Sequence, residues 1–223
     1  GDCMNFDMAG EMLEIEGRES TTVLVADDVA SAPPEEAEKR RGVAGMIYAF
    51  KIAGAKASAG ASLAEVTATA QKAADACRSI GVALTPCTVP EAGKPTFEIA
   101  ADEIEMGMGI HGEPGIWRGK MKPADEVAAE MLDRLLADQP LENGDRISVL
   151  VNSLGATPHE ELYILYRYLA KRFDDLGVTV VMPLVGRYAT SMEMTGASLT
   201  ICKLDSELEE LLHAPANCAF WRI

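Results

Sequence analysis

Ile147-Ser148-Val149-Leu150-Val151, the turn Asn152-Ser153-Leu154-Gly155-Ala156-Thr157-Pro158, and the run on to Val178-Thr179-Val180-Val181 decide the fold class. The first block is a short apolar, β-branched run broken by one serine. It lacks the strict alternation of a strand wetted on one face, so it reads as buried on both. Leu162, Leu165, Leu169, Phe173 and Leu176 then recur at the three- and four-residue spacing of a helix with one apolar side. Val178–Val181 is a second buried-strand run. Strand, helix, strand in that order, with buried strands, predicts an α/β fold.

Working outward, Ser198–Leu204 reads as a third buried strand and Glu207–Leu212 as a short last helix. Upstream, Val127, Met131, Leu132, Leu135 and Leu136 mark an amphipathic helix over about 123–137. From Ile80 to Trp117 the chain is rich in glycine and proline, with β-like runs at 80–84, 97–99 and 104–110. The first 79 residues have a different texture. Apolar residues at Phe6, Ala9, Met12, Leu13 and Ile15 predict a helix that Gly17 can end. Thr21–Val25 is a β-branched run closed by Asp27-Asp28, and 42–60 reads as a helix of small and apolar residues. Ser62-Leu63-Ala64-Glu65 is a capping box opening another helix, with Leu63, Val66, Ala70, Ala73 and Cys77 on one face. The change of texture near Arg78–Ile80 predicts two α/β domains, 1–79 and 80–223, the second a mixed sheet flanked by helices.

The 223 residues carry 20 Lys+Arg against 35 Asp+Glu, a net charge of −15, which disfavours a general nucleic-acid binder. The longest basic run, Lys39-Arg40-Arg41, lies beside Glu35, Glu36 and Glu38 and reads as a solvated loop or helix start. No apolar stretch has membrane-spanning length, so no membrane partner is expected and the chain reads as soluble. Cys3, Cys77, Cys87, Cys202 and Cys218 form no C-x-x-C, and their simplest reading is reduced thiols in the cytoplasm. With only His111, His159 and His213, a histidine-rich metal site is poorly supported.

Chemistry concentrates in Gly107-Met108-Gly109-Ile110-His111-Gly112-Glu113-Pro114-Gly115, four glycines and one histidine in nine residues. Glycine lets a backbone turn at positive φ and approach a ligand closely. A histidine so weakly shielded can act as base, nucleophile or metal ligand, or can simply bond a carbonyl within its turn. The spacing is neither G-x-G-x-x-G nor a Walker loop. Glu105 and Glu113 are candidates to orient the ring. Trp117 and Arg118 are candidates for the loop's rim, and the tryptophan equally for a dimer contact. The 152–158 turn is a candidate ligand or partner contact, or a plain strand-to-helix turn.

Gly109-Ile110-His111-Gly112-Glu113-Pro114-Gly115 resembles the histidine signature of the dihydroxyacetone kinase K subunit. Gly1-Asp2 with Met4-Asn5-Phe6, Arg40-Arg41-Gly42, 80–84, Cys87-Thr88-Val89-Pro90, Gly93-Lys94-Pro95, 152–158 and Thr190-Ser191-Met192-Glu193-Met194 follow in matching order. The resemblance runs nearly end to end. It implies a glycerone kinase in which His111 holds dihydroxyacetone as a covalent hemiaminal and Asp2 assists proton removal from the attacking hydroxyl. Both are then substrate-binding and catalytic residues. It further implies an L subunit or domain that brings ATP or ADP with magnesium, no cofactor or metal in this chain, and a homodimer.

The chain begins at Gly1, so the family's upstream glycine-rich loop, with a second histidine and a substrate-binding lysine, is missing from it. The expectation is a C-terminal fragment that is inactive alone, with an incomplete first domain. The apolar faces of Val23–Val25 and of the 42–60 helix should then be exposed. Two other readings remain: a K-like ketose sensor that contacts a transcription factor, and a kinase for a four-carbon ketose such as erythrulose.

Overall fold

The computed structural model describes residues 2–219 and 221–222, apart from the side chain of Asp2. Among the described residues, six α-helices, α1 (Asp2–Ile15), α2 (Gly45–Ser58), α3 (Leu63–Asp75), α4 (Ala124–Asp138), α5 (His159–Asp175) and α6 (Ser206–His213), and one short 3-10 helix (Pro34–Lys39) accompany six strands. The strands are β1 (Cys77–Ala83), β2 (Glu103–Met106), β3 (Trp117–Lys120), β4 (Arg146–Ser153), β5 (Thr179–Gly186) and β6 (Gly196–Leu204). They form one sheet in the order β3-β2-β1-β6-β4-β5, in which only β4 and β5 run parallel. The expected mixed α/β sheet flanked by helices is therefore present. The 79/80 boundary falls inside β1, which pairs with β6 without interruption from Cys77 to Ala83.

Period-two alternation sorts the central strands onto two cores. Ile147, Val149 and Val151 of β4, with Leu199 and Ile201 of β6 and Ile80 and Val82 of β1, pack against Met131, Leu132 and Leu135 of α4 and Leu162, Leu169 and Phe173 of α5. Leu150, Cys202, Leu204 and Cys77 face the other way, onto Tyr48 and Ile52 of α2 and Leu208 and Leu212 of α6. Covering on both faces is why these strands read as continuous apolar runs. The α2 side also holds a buried polar seam. The Tyr48 and Ser148 hydroxyls lie 2.9 Å apart, Ser79 and Thr200 2.6 Å apart, and Asn152 Nδ2 donates to Ser198 Oγ at 3.0 Å. No buried side-chain polar atom among the described residues lacks a partner.

Two expected strands differ. Thr21–Val25 joins no ladder; the nearest pairing is a single parallel bridge, Asp28 to Ser79. Residues 97–99 are loop. A β-branched run becomes a strand only where a neighbour supplies hydrogen bonds, and neither segment has one. Leu24 (58%) and Phe50 (61%) are exposed, but Val23 and Val25 are half-buried and α2 buries Tyr48, Ala49 and Ile52. The expected exposure of whole apolar faces is thus met only at single residues; α1 exposes Phe6, Met12 and Ile15. β5 forms one edge of the sheet and carries the exposed Pro183; β3, with Arg118 and Lys120, forms the other.

Candidate functional site

The histidine loop is the connection from β2 to β3. These strands pair antiparallel with Met106 opposite Trp117, so residues 107–116 must leave the sheet and return to it over a short distance. Two glycines make that path available. Gly112 has φ +87°, and a Cβ on Gly115 would stand 2.2 Å from the Met106 carbonyl oxygen. The loop is closed by Gly109 N–H donating to the Glu113 carbonyl at 3.1 Å and Ile116 N–H to the Met106 carbonyl at 2.7 Å.

His111 projects from the crest with its side chain 68% exposed. Glu113 Oε1 lies 3.0 Å from its Nδ1, and Oε2 accepts its backbone N–H at 3.0 Å. Burial works to raise the Glu113 carboxyl, but its own backbone amide and the contacts from His111 outweigh this and hold it below its ordinary value. An ionised carboxylate can only accept, so Nδ1 carries the proton in the neutral ring and Nε2 bears the free lone pair. The orienting carboxylate is thus Glu113. Glu105, only 6% exposed, serves the loop instead: Oε1 accepts Gly115 N–H at 2.7 Å and Oε2 receives Arg118 Nε at 2.8 Å.

Below the loop lies a carboxylate pair from the segment before α2. Asp27 is fully buried and accepts from the amides of Val43 and Gly45, each at 2.7 Å, and from the Ser79 hydroxyl. Burial raises its carboxyl above the usual value, against those three contacts. Asp28 is pushed up to about 6 by burial, against the opposing pull of Arg41 and the Ala30 amide.

Other candidates take structural places. Asp2 opens α1, and its side chain lies outside the described residues. His159 is the first residue of α5, and His213 Nδ1 lies 2.9 Å from the Glu209 carbonyl at the end of α6. Trp117 Nε1 donates to Glu130 at 2.6 Å while Lys122 sits 4.4 Å above its ring, which fixes it within the fold. The polar side chains of the 152–158 turn are used internally. Asn152 Oδ1 accepts from the amides of Tyr188 and Ala189, and the Thr157 hydroxyl bonds the Gly196 backbone. The solvated reading of Lys39-Arg40-Arg41 holds for Lys39 and fails for Arg40, whose side chain is 1% exposed against Asp138. A distant carboxylate allows that burial, and local composition cannot show it. Among the described residues no three His, Cys, Asp or Glu side chains gather as metal ligands, and no helix is long and apolar enough to cross a membrane.

A family model described as the Dak1 domain matches residues 1–220. The dihydroxyacetone-binding subunit of the PTS-dependent dihydroxyacetone kinase 2 of Listeria innocua is 44% identical over 223 residues, covering 100% of this chain and 67% of its own length. The L-erythrulose 1-kinase of Mycolicibacterium smegmatis is also 44% identical, over 226 aligned residues, which cover 100% of this chain and 40% of that one. Among solved structures, a dihydroxyacetone kinase operon co-activator, Dha-DhaQ, matches with a TM-score of 0.84 at 34% identity, over 94% of this chain and 65% of the other. The chain therefore spans between 40% and 67% of the lengths of these relatives.

Proposed function

The chain belongs to the Dak1 domain family, and on that premise we propose that it is the ketose-binding part of a dihydroxyacetone (glycerone) kinase, with His111 as the residue that captures the substrate. The observation that carries this reading is the pairing of His111 Nδ1 with Glu113 at 3.0 Å on a ring that is otherwise open to solvent. It leaves Nε2 as the nucleophile. The Nε2 lone pair adds to the ketose C2, and the carbonyl π electrons move to oxygen. The resulting alkoxide takes a proton from solvent, while Nδ1–H passes its proton to Glu113 or water. The product is a neutral hemiaminal with no net change in protons. A polyol without a carbonyl has no such route, so capture separates dihydroxyacetone from glycerol more sharply than hydroxyl contacts can.

Asp2 is assigned the removal of the proton from the attacking ketose hydroxyl, as the resemblance implies. Phosphoryl transfer is assigned to an L subunit or domain that carries ATP or ADP with magnesium, so this chain alone is expected to bind ketose without phosphorylating it. The homodimer and the cytoplasmic setting belong to the same proposal. So does the two-part division into 1–79 and 80–223.

Diffraction from crystals of this chain soaked in dihydroxyacetone tests the reading. Continuous density from Nε2 of His111 to the ketose C2 is the expected result; an ordered, unmodified His111 with the ketose bound elsewhere would refute it. A four-carbon ketose is favoured as a second substrate by the equal identity to an L-erythrulose 1-kinase. Competition between L-erythrulose and dihydroxyacetone for the His111 adduct separates the two. The likeness to an operon co-activator supports a sensing role instead, which phosphoryl transfer in the presence of an L partner would exclude.

A further inference from the structure

The two adjacent arginines of Arg40-Arg41-Gly42 point in different directions. Arg40 turns down to Asp138 at the end of α4. Arg41 turns toward the histidine loop. Its Nε donates to Asp28 Oδ2 at 2.8 Å, and Nη2 lies 2.7 Å from that same oxygen. Nη2 also donates to the Gly107 carbonyl at 2.8 Å, and Nη1 reaches the Pro114 carbonyl at 3.4 Å. Gly107 and Pro114 stand at the two ends of the loop that carries His111. One planar cation therefore spans the loop's base and is itself held by a carboxylate.

That carboxylate is not free to follow the loop. The Asp28 side chain is 2% exposed, and its other oxygen accepts Ala30 N–H at 3.0 Å. Asp28 N–H donates to the Arg41 carbonyl at 3.2 Å, and Val29 N–H donates to Ser79 of β1 at 3.0 Å. The clamp is thus referred to the central sheet. The loop's first end is also tied to β1 directly, Gly107 N–H donating to the Gly81 carbonyl at 2.6 Å, so the guanidinium's added hold is on the returning end at Pro114. We infer that Arg41, held by Asp28, is a positioning residue for ketose capture: it fixes the separation of residues 107 and 114 and so the direction in which His111 leaves the loop. This rests on the capture reading above. The geometry requires a guanidinium, because a lysine ammonium is a point donor on a flexible stem and cannot serve a carboxylate and two carbonyls in one plane.

The test pairs amide hydrogen exchange over residues 107–116 with binding of [2-13C]dihydroxyacetone, read as the tetrahedral adduct carbon by NMR. Both are measured on the full chain and on Arg41→Ala, Arg41→Lys and Asp28→Asn. In Arg41→Ala the loop amides should exchange about tenfold faster while those of β4 keep their rate, and the ketose dissociation constant should rise about tenfold with the adduct's chemical shift unchanged. Arg41→Lys should behave as Arg41→Ala. Wild-type loop exchange in Arg41→Ala would overturn the clamp. Faster loop exchange with an unchanged dissociation constant would overturn the positioning role. Absence of any adduct on the unsubstituted chain would sink the capture reading instead, and exchange alone would then judge the clamp. Should Arg41→Ala fail to fold, Asp28→Asn, which keeps the shape and removes the charge that anchors Arg41, carries the same two expectations.

Discussion

Replacing Asp138 by alanine should cost about 3 kcal/mol of stability, the low end of the range for breaking a buried ion pair. Asp138 closes α4 and gathers two arginines from elsewhere in the chain. Its Oδ1 receives Arg40 Nη1 at 3.0 Å and Arg78 Nε, and its Oδ2 receives Arg40 Nη2 at 2.5 Å. The Arg40 and Asp138 side chains are 1% and 7% exposed, so the guanidinium left behind cannot turn to water. It keeps one acceptor, the Ala32 carbonyl at 2.9 Å, and Arg78 keeps the carbonyls of Asp75 and Cys77, which is why the low end applies. For a chain of this size the loss corresponds to a melting temperature lower by about 6–12 °C. Circular-dichroism melts and urea titrations read it directly. The double substitution Arg40→Met, Asp138→Leu should recover most of the loss, because apolar partners need no compensation. Arg40, then Arg78, holds the Asp138 carboxyl below its ordinary 3.8. Its contribution is therefore full above that value and is lost as pH falls through the lower folded value. A cost within about 0.5 kcal/mol in Asp138→Ala, or one abolished by 1 M salt, would refute the argument by showing an exposed pair.

Three further outcomes follow from the site. Glu113→Ala should weaken dihydroxyacetone capture about tenfold and move the proton between the ring nitrogens of His111, read by long-range 15N–1H correlation. Stability should change by no more than about 0.5 kcal/mol, since His111 is largely exposed and Glu113 only half-buried. Gly115→Ala sets a Cβ 2.2 Å from the Met106 carbonyl and should cost about 1–3 kcal/mol on melting while reducing capture in the same protein. Asp28, faced by Arg41 and Asp27, titrates at about 6, so its protonated fraction rises from about one tenth at pH 7 to about nine tenths at pH 5. Its raised value makes the folded state the better proton acceptor, so this group's contribution to stability declines as pH rises from 3.8 through 6. Acidification should nonetheless loosen Arg41, and ketose affinity should fall between pH 7 and 5 more steeply than in Asp28→Asn.

Sequence pattern reaches as far as local physics does. The apolar periods of α4 and α5 and the runs of β4 and β6 locate those elements because each side chain's burial follows from its place in the repeat. The capping box is equally local, with Ser62 N–H donating to Glu65 Oε2 at 2.8 Å and Glu65 N–H to Ser62 Oγ at 3.4 Å. β3 escapes notice because Trp117-Arg118-Gly119-Lys120 has no strand-like composition; pairing with β2 makes it one. Val23–Val25 fails in the opposite direction, having the composition without a neighbour. In the site, His111 and Glu113 are legible because they sit two residues apart among glycines. The clamp is not, since Arg41 meets Gly107 across 66 residues and Arg40 meets Asp138 across 98. No charge pattern along the chain can announce such meetings.

The sheet's two margins are each closed to recruitment. At one, β3 is only four residues long and carries Arg118 and Lys120, so a second copy approaching there meets cationic side chains and little backbone to template on. At the other, β5 runs eight residues, but Pro183 in its middle has no N–H to offer an incoming strand. Growth of the sheet from molecule to molecule, the route by which exposed strands seed fibrils, is thereby interrupted at both ends. Pro183→Val would restore a continuous donor row along β5, and the altered chain should deposit from concentrated solution where the original stays dispersed.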